Sequence, residues 1–169
     1  MLYRPYRPAD FAAIYAVEEI CFQPPLRFSR ATMRSIVIGP RSAAWIAEED
    51  AEADGNPEEN GKLTGFAIIE WEGEPQAGPR AAYIQTVEVA PEFRGRGIAS
   101  ELLRRIEDSA RAAGAGSIWL HVDAANSAAI RLYERQGYRR QGREEHYYAR
   151  RRAALVYAKP LGAKPLGER

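Results

Sequence analysis

The residues Arg94-Gly95-Arg96-Gly97-Ile98-Ala99-Ser100 are the stretch of this chain best suited to chemistry. They stand between a strand-like run and a helical stripe, where a loop can aim several backbone N–H groups and the positive end of a helix dipole at one point. Such a point suits a phosphate. Gly95 and Gly97 matter because a side chain at either would block close approach of an anion or forbid the backbone angles required. Arg94 and Arg96 add positive charge nearby. Taken alone, a G-x-G also fits a tight connection with solvated arginines. No Gly-Lys-Ser/Thr follows, so this is not a P-loop, and the dinucleotide fingerprint fails at its third glycine, where Ser100 stands.

Three titratable residues offer proton chemistry. His121 lies in the apolar run SIWLHV, and histidine's ordinary pKa of about 6.5 lets it take a proton from an ammonium directly or through water. A hydrogen-bonded strand histidine is the equal alternative. Glu88 alternates with Val87 and Val89 and so points to the face opposite theirs, either into a groove as a second base or out to solvent. Tyr133 shares helical spacing with Ile130 and Leu132, which by periodicity alone marks a core tyrosine. The two histidines stand apart and Cys21 is the single cysteine, so no metal-ligand spacing exists. Arg139, Arg140, Arg143, Arg150, Arg151 and Arg152 make a basic segment near the C-terminus. It reads as a solvated hairpin, and without aromatics interleaved for base stacking no nucleic-acid partner is expected.

The elements that position these residues alternate along the chain. Leu2 to Arg7 is a strand, and Pro8-Ala9-Asp10 offers helix-start chemistry before Phe11, Ile14, Tyr15, Val17 and Ile20 at helical spacing. Pro24-Pro25 breaks this helix, Ser29 can cap a second one through Ile38, and Gly39-Pro40 ends it. Ala43–Glu48 and Leu63–Trp71 flank the turn-rich AEADGNPEENGK as a hairpin whose acidic tip is solvated. Ala82–Val89 is a strand, and Ile98, Leu102, Leu103, Ile106 and Ala110 mark a helix ending near Gly114. Ser117–Val122 is a central strand, Asn126–Gln136 a helix closed by Gly137, and Tyr138–Gly142 and Ala153–Leu161 two last strands joined by the polar REEHYYARRR. The pattern is a mixed α/β sheet, and residues 162–169 form a loose tail.

Bulk properties bound the reading. At 169 residues and 46% hydrophobic, the chain can bury one core, so a single domain is expected. With 24 basic against 23 acidic residues, no global field draws it to nucleic acid. A lone cysteine suits a reducing compartment. The opening MLYRPYRPADF lacks the apolar run of a signal peptide, and no stretch nears the roughly 20 apolar residues of a bilayer span, so a cytoplasmic protein without membrane association is expected.

The strings VEVAPEFRGRGIASELLRRIEDSARAAG and SIWLHVDAANSAAIRLYERQGYRRQG resemble the GNAT superfamily of acetyl-CoA-dependent acyltransferases, from Val87 to Gly142. The signature Arg/Gln-x-x-Gly-x-Gly/Ala is met by Arg94, Gly97 and Ala99, and N-x-x-A-x-x-x-Y-x-x-x-G-Y/F by Asn126 through Tyr138. Within the superfamily the chain is most similar to bacterial ribosomal-protein-alanine N-acetyltransferases, which carry Glu where His121 stands and an acidic residue where Ala153 stands. The resemblance implies one domain over 1–161, with a mostly antiparallel six- to seven-stranded sheet, about four flanking helices, and a V-shaped split between the fourth and fifth strands. It places the thioester of acetyl-CoA near Glu88 and His121. The pantetheine arm would lie along the backbone of Val87, Glu88 and Val89, and the pyrophosphate on Arg94, Gly95, Arg96, Gly97, Ile98, Ala99 and Ser100. Asn126, Ala129 and Tyr133 would also touch acetyl-CoA. It turns Tyr133 into the general acid, gives His121 or Glu88 the role of base, and lets Tyr83, Tyr147 and Tyr148 frame the acceptor. That acceptor is a protein N-terminal α-amine or a small amine, a non-catalytic acyl-CoA-binding module being the remaining alternative. A monomer or homodimer is expected.

Overall fold

Branched and aromatic runs pair into strands, and the stripes of helical period bury one side against them. The computed structural model describes residues 1–50, 61–73, 78 and 80–162. Its strands are β1 (Leu2–Pro5), β2 (Ser42–Glu48), β3 (Leu63–Glu72), β4 (Arg80–Val89), β5 (Ala115–Asp123), β6 (Arg139–Ala149) and β7 (Arg152–Pro160). Its helices are α1 (Phe11–Cys21), α2 (Arg30–Val37), α3 (Ile98–Ala112) and α4 (Ser127–Arg135). One sheet runs in the order β1-β2-β3-β4-β5-β7-β6. Among the described residues only the β4–β5 pair is parallel, as expected of a strand–helix–strand crossover through α3. Among the described residues no helix is long and apolar enough to cross a membrane.

Cross-strand register assigns the faces. Trp45 pairs with Ala67 and Ala67 with Val87, while Ile46 pairs with Phe66 and Phe66 with Glu88. The first set faces α3, where the Trp45 indole N–H donates to Ser109 Oγ at 2.9 Å. The second faces α1. Helices on both sides explain why β3 is buried along most of its length. Leu102, Leu103 and Ile106 of α3 are fully buried, each contributing about 1.5–3 kcal/mol of transfer free energy.

Several boundaries differ from the sequence reading. The first strand ends at Pro5, and Pro8–Asp10 is a short 3-10 turn. The Asp10 carboxylate accepts from the Arg7 amide at 2.7 Å and from Arg4 at 2.8 Å, so it makes no cap on α1. Ser29 does cap α2, its Oγ accepting from the Thr32 amide at 3.1 Å. The largest departure is β6, which continues from Arg139 to Ala149 through most of the stretch read as a polar connection. As the sheet's edge strand it needs no apolar alternation, and pairing with β7 supplies the order. The acidic tip at 51–60 and the tail from 163 onward lie outside the described residues.

Candidate active site

The sheet opens at its centre. β4 pairs with β5 only over Arg80–Tyr83 against Ala115–Trp119; from Ile84 onward the two strands part, while β5 stays paired with β7 on its other edge from Ser117 to Asp123. The split between the fourth and fifth strands is therefore real. A register shift between Ile68 and Ile69 on β3, opposite Gln85, accompanies it, as bulges bend strands beside functional clefts. A cavity of about 1030 Å³ fills the opening, walled by both strands, by the α1–α2 segment and by the tip of the β6–β7 hairpin.

His121 is brought into this cavity by β5. Its side chain is only 8% exposed. Its Nδ1 lies 3.0 Å from the Tyr83 hydroxyl, and its ring stacks on Tyr147 at 4.1 Å between centroids. Nε2 is buried and lacks a hydrogen-bond partner, for Glu144 Oε1, though 3.1 Å away, stands out of line for one. Tyr147 reaches the ring because the β6–β7 ladder is interrupted between Glu144 and Ala149. Within that gap His146 takes a φ of 56°, a left-handed conformation that re-aims the following tyrosines. Tyr83, Tyr147 and Tyr148 all line the cavity. Burial, then the neighbouring Tyr147 hydroxyl, raises Tyr83 above the ordinary phenol range, and burial does the same for Tyr148.

Tyr133 reaches the same cavity from α4. Its ring packs edge-on to Tyr138 at 5.6 Å, and burial, followed by the nearby Tyr148 and Glu88, raises its pKa. It thus stays protonated at neutral pH. Asn126 caps α4, its Oδ1 accepting from the Ala129 amide at 3.1 Å, and both residues line the cavity wall.

The glycine loop lies beyond the C-terminal end of β4. Gly95 and Gly97 have φ of 76° and 79°, and a Cβ at either would meet nothing within 4 Å. The space over the loop is open, and the backbone angle demands glycine. The first internal bond of α3 is Glu101 N to Gly97 O at 3.1 Å, which leaves the amides of Ile98, Ala99 and Ser100 to point outward. Arg94 Nε donates to Val89 O at 3.0 Å and Arg96 Nη2 to Glu92 O at 3.2 Å, so both guanidiniums brace the loop. Ile98 is buried and anchors the helix start.

Glu88 lies behind the cavity and does not enter it. It is 3% exposed and not in the cavity wall, and its carboxyl accepts from Thr86 Oγ1 at 2.7 Å. Val87 lines the cavity, whereas Val89 is buried behind it. Sequence reasoning missed Trp119, Thr86 and the segment Leu26–Phe28, all of which line the cavity. It also missed Glu18, though a carboxyl on the Phe11–Ile14–Val17 stripe of α1 was a visible signal.

The acetyltransferase (GNAT) family profile matches residues 11–138. Over 131 residues the chain is 31% identical to the streptothricin acetyltransferase of Streptomyces lavendulae, covering 73% of this chain and 62% of that one. Over 106 residues it is 31% identical to the ribosomal protein bS18-alanine N-acetyltransferase of Escherichia coli, covering 61% of this chain and 68% of the relative. The crystal structure of Arabidopsis thaliana NAA60 with a bisubstrate analogue superposes with a TM-score of 0.80 at 25% identity, over 96% of this chain and 99% of that one. The glycine loop at a split sheet and these likenesses, which span most of the chain, agree: the chain belongs to the acetyltransferase (GNAT) family.

Proposed function

We propose that the protein is an acetyl-CoA-dependent N-acetyltransferase whose acceptor is a protein N-terminal α-amine. The observation that carries this reading is that His121 and Tyr133, from different elements, line one cavity at the β4–β5 split. The residues present fit acetyl-CoA: the outward amides at the start of α3 suit its pyrophosphate, and β4 beyond Tyr83 offers an edge free of β5 to its pantetheine amides. Bound there, acetyl-CoA supplies an activated acyl carbon and a thiolate leaving group.

The chain's own residues then handle the protons. His121 Nε2 takes one from the incoming ammonium and frees the nitrogen lone pair for attack, while the Tyr83 hydroxyl holds the ring through Nδ1. An amide of the β4 edge stabilises the negative charge that develops on the carbonyl oxygen. Tyr133 gives its phenolic proton to the departing sulfur. Cys21, pushed up to about 11 by burial and then by Glu88, stays a thiol and is unsuited to carry an acyl group, which favours direct transfer.

The tyrosines of the β6–β7 hairpin and the α1–α2 segment both line the cavity, an arrangement that suits a chain end. The likeness to the ribosomal protein bS18-alanine N-acetyltransferase supports the same acceptor. A small-molecule amine is the second reading, favoured by the likeness to streptothricin acetyltransferase. Thiol release from acetyl-CoA, measured with short peptides of varied N-terminus, their N-blocked forms, polyamines and free amino acids, tests both. Turnover on free N-termini and none on blocked ones is expected. Turnover on small amines alone would overturn the N-terminal reading.

A further inference from the structure

Behind the acceptor wall lies a pair of carboxyls that the reaction above does not use. Glu18 of α1 is 0% exposed and Glu88 of β4 is 3% exposed. Each spends one oxygen: Glu18 Oε1 accepts from the Phe28 amide at 2.7 Å, and Glu88 Oε1 from Thr86 Oγ1 at 2.7 Å. Each leaves Oε2 buried with no partner. Their surroundings offer little relief. Cys21 of α1 donates its S–H toward Val89 O at 3.6 Å and is also within hydrogen-bonding reach of Glu88, and Tyr133 of α4 is near enough to feel a charge on Glu88. The guanidinium of Arg94, from the glycine loop, is bonded to Val89 O and to Cys21 Sγ. Two ionised carboxylates side by side in such a place would bear mutual repulsion and two orphaned acceptors. One proton between them removes both costs. Burial, followed by the adjoining Glu18 carboxyl, pushes Glu88 well above the ordinary carboxylate range.

We propose that Glu88 is protonated at neutral pH and donates to Glu18 Oε2, and that this buried acid pair fixes the α1–α2 segment that walls the acceptor end of the cavity. A chain of hydrogen bonds then runs from Thr86 on the split strand, through Glu88 and Glu18, to the Phe28 amide. Leu26, Arg27 and Phe28 are cavity wall, and Tyr15 also donates to Phe28 O at 3.1 Å. Both carboxyls are positioning residues in this arrangement.

Glu88→Gln keeps the shape and a donor for Glu18 but cannot titrate. A carboxyl raised in the folded state above its ordinary 4.5 contributes stability that is complete below that pH and lost as pH rises toward the folded value. Melting temperature of the unaltered protein should therefore fall relative to Glu88→Gln between about pH 5 and pH 9. A difference that stays flat with pH overturns the shared proton. Turnover of Glu88→Gln at neutral pH should stay within about twofold, and a loss of about 10²-fold would make Glu88 a base. Glu18→Ala should speed hydrogen exchange at the Phe28 amide and raise the acceptor KM several-fold with little change for acetyl-CoA, while Glu18→Gln, which still accepts from Phe28 and can donate to Glu88, restores both. Unchanged exchange in Glu18→Ala overturns the positioning role. The melting and exchange measurements need no acceptor, so their failure leaves the N-terminal reading standing, and failure of that reading leaves them intact.

Discussion

The imidazole of His121 is held on both sides, by the Tyr83 hydroxyl at Nδ1 and by the stacked ring of Tyr147, so Nε2 stays in one place. Replacing it by Gln in His121→Gln should lower kcat by about 10²–10³-fold while leaving acetyl-CoA affinity unchanged; steady-state rates and calorimetric titration read the two separately. Tyr133 is the complementary group. Its burial keeps the phenol protonated, as the acid of the proposed transfer must be, and Tyr133→Phe should cost about 10²-fold in kcat at constant acetyl-CoA affinity. A normal rate would remove it as the acid. Periodicity alone reads Tyr133 as core, and the structure shows why that signal could not decide: the ring does pack on Tyr138, while the residue also lines the cavity.

The elements divide into those that sequence specifies locally and those that need a neighbour. The start of α3 is local, since two glycines at positive φ and a run of outward amides follow from residues adjacent in the chain. Gly97→Val meets no steric obstacle around its Cβ but must hold a branched residue at a φ of 79°. That costs about 1–2 kcal/mol or distorts the loop, so acetyl-CoA affinity should fall about tenfold with the fold retained, as calorimetry and circular dichroism would record. Unchanged affinity would sink the loop assignment. β6 is the opposite case. Its residues are polar almost throughout, and only the ladder to β7 makes them a strand. The interruption of that ladder, which carries Tyr147 onto His121, leaves no mark in the composition of the segment.

At the scale of the whole molecule, Arg4 ties the first strand to distant chain by bonding Asp10 and Glu48 together, with all three side chains at most 14% exposed. Arg4→Met would leave two carboxylates without their cation and should cost roughly 2–3 kcal/mol, read as a lower urea midpoint. Burial works to raise Asp10, yet Arg4 and the Arg7 amide outweigh it and hold the group below its ordinary 3.8. A depressed acid contributes stability above that value and loses it as pH falls, so the midpoint should drop below about pH 4, and Arg4→Met should lose that part of the slope. The amino-acid sequence by itself determined the order of elements, the glycine loop and the family, because these rest on periodicity, turn chemistry and motifs within short spans. Tertiary structure alone decided that Glu88 turns to Glu18 and away from the cavity, and that His121 meets Tyr83 and Tyr147. Those contacts join residues 70, 38 and 26 positions apart along the chain, and the sheet's divergence after Tyr83 sets them. Alternation along a strand says which side chains share a face, but what waits on that face is chosen by the packing of other elements.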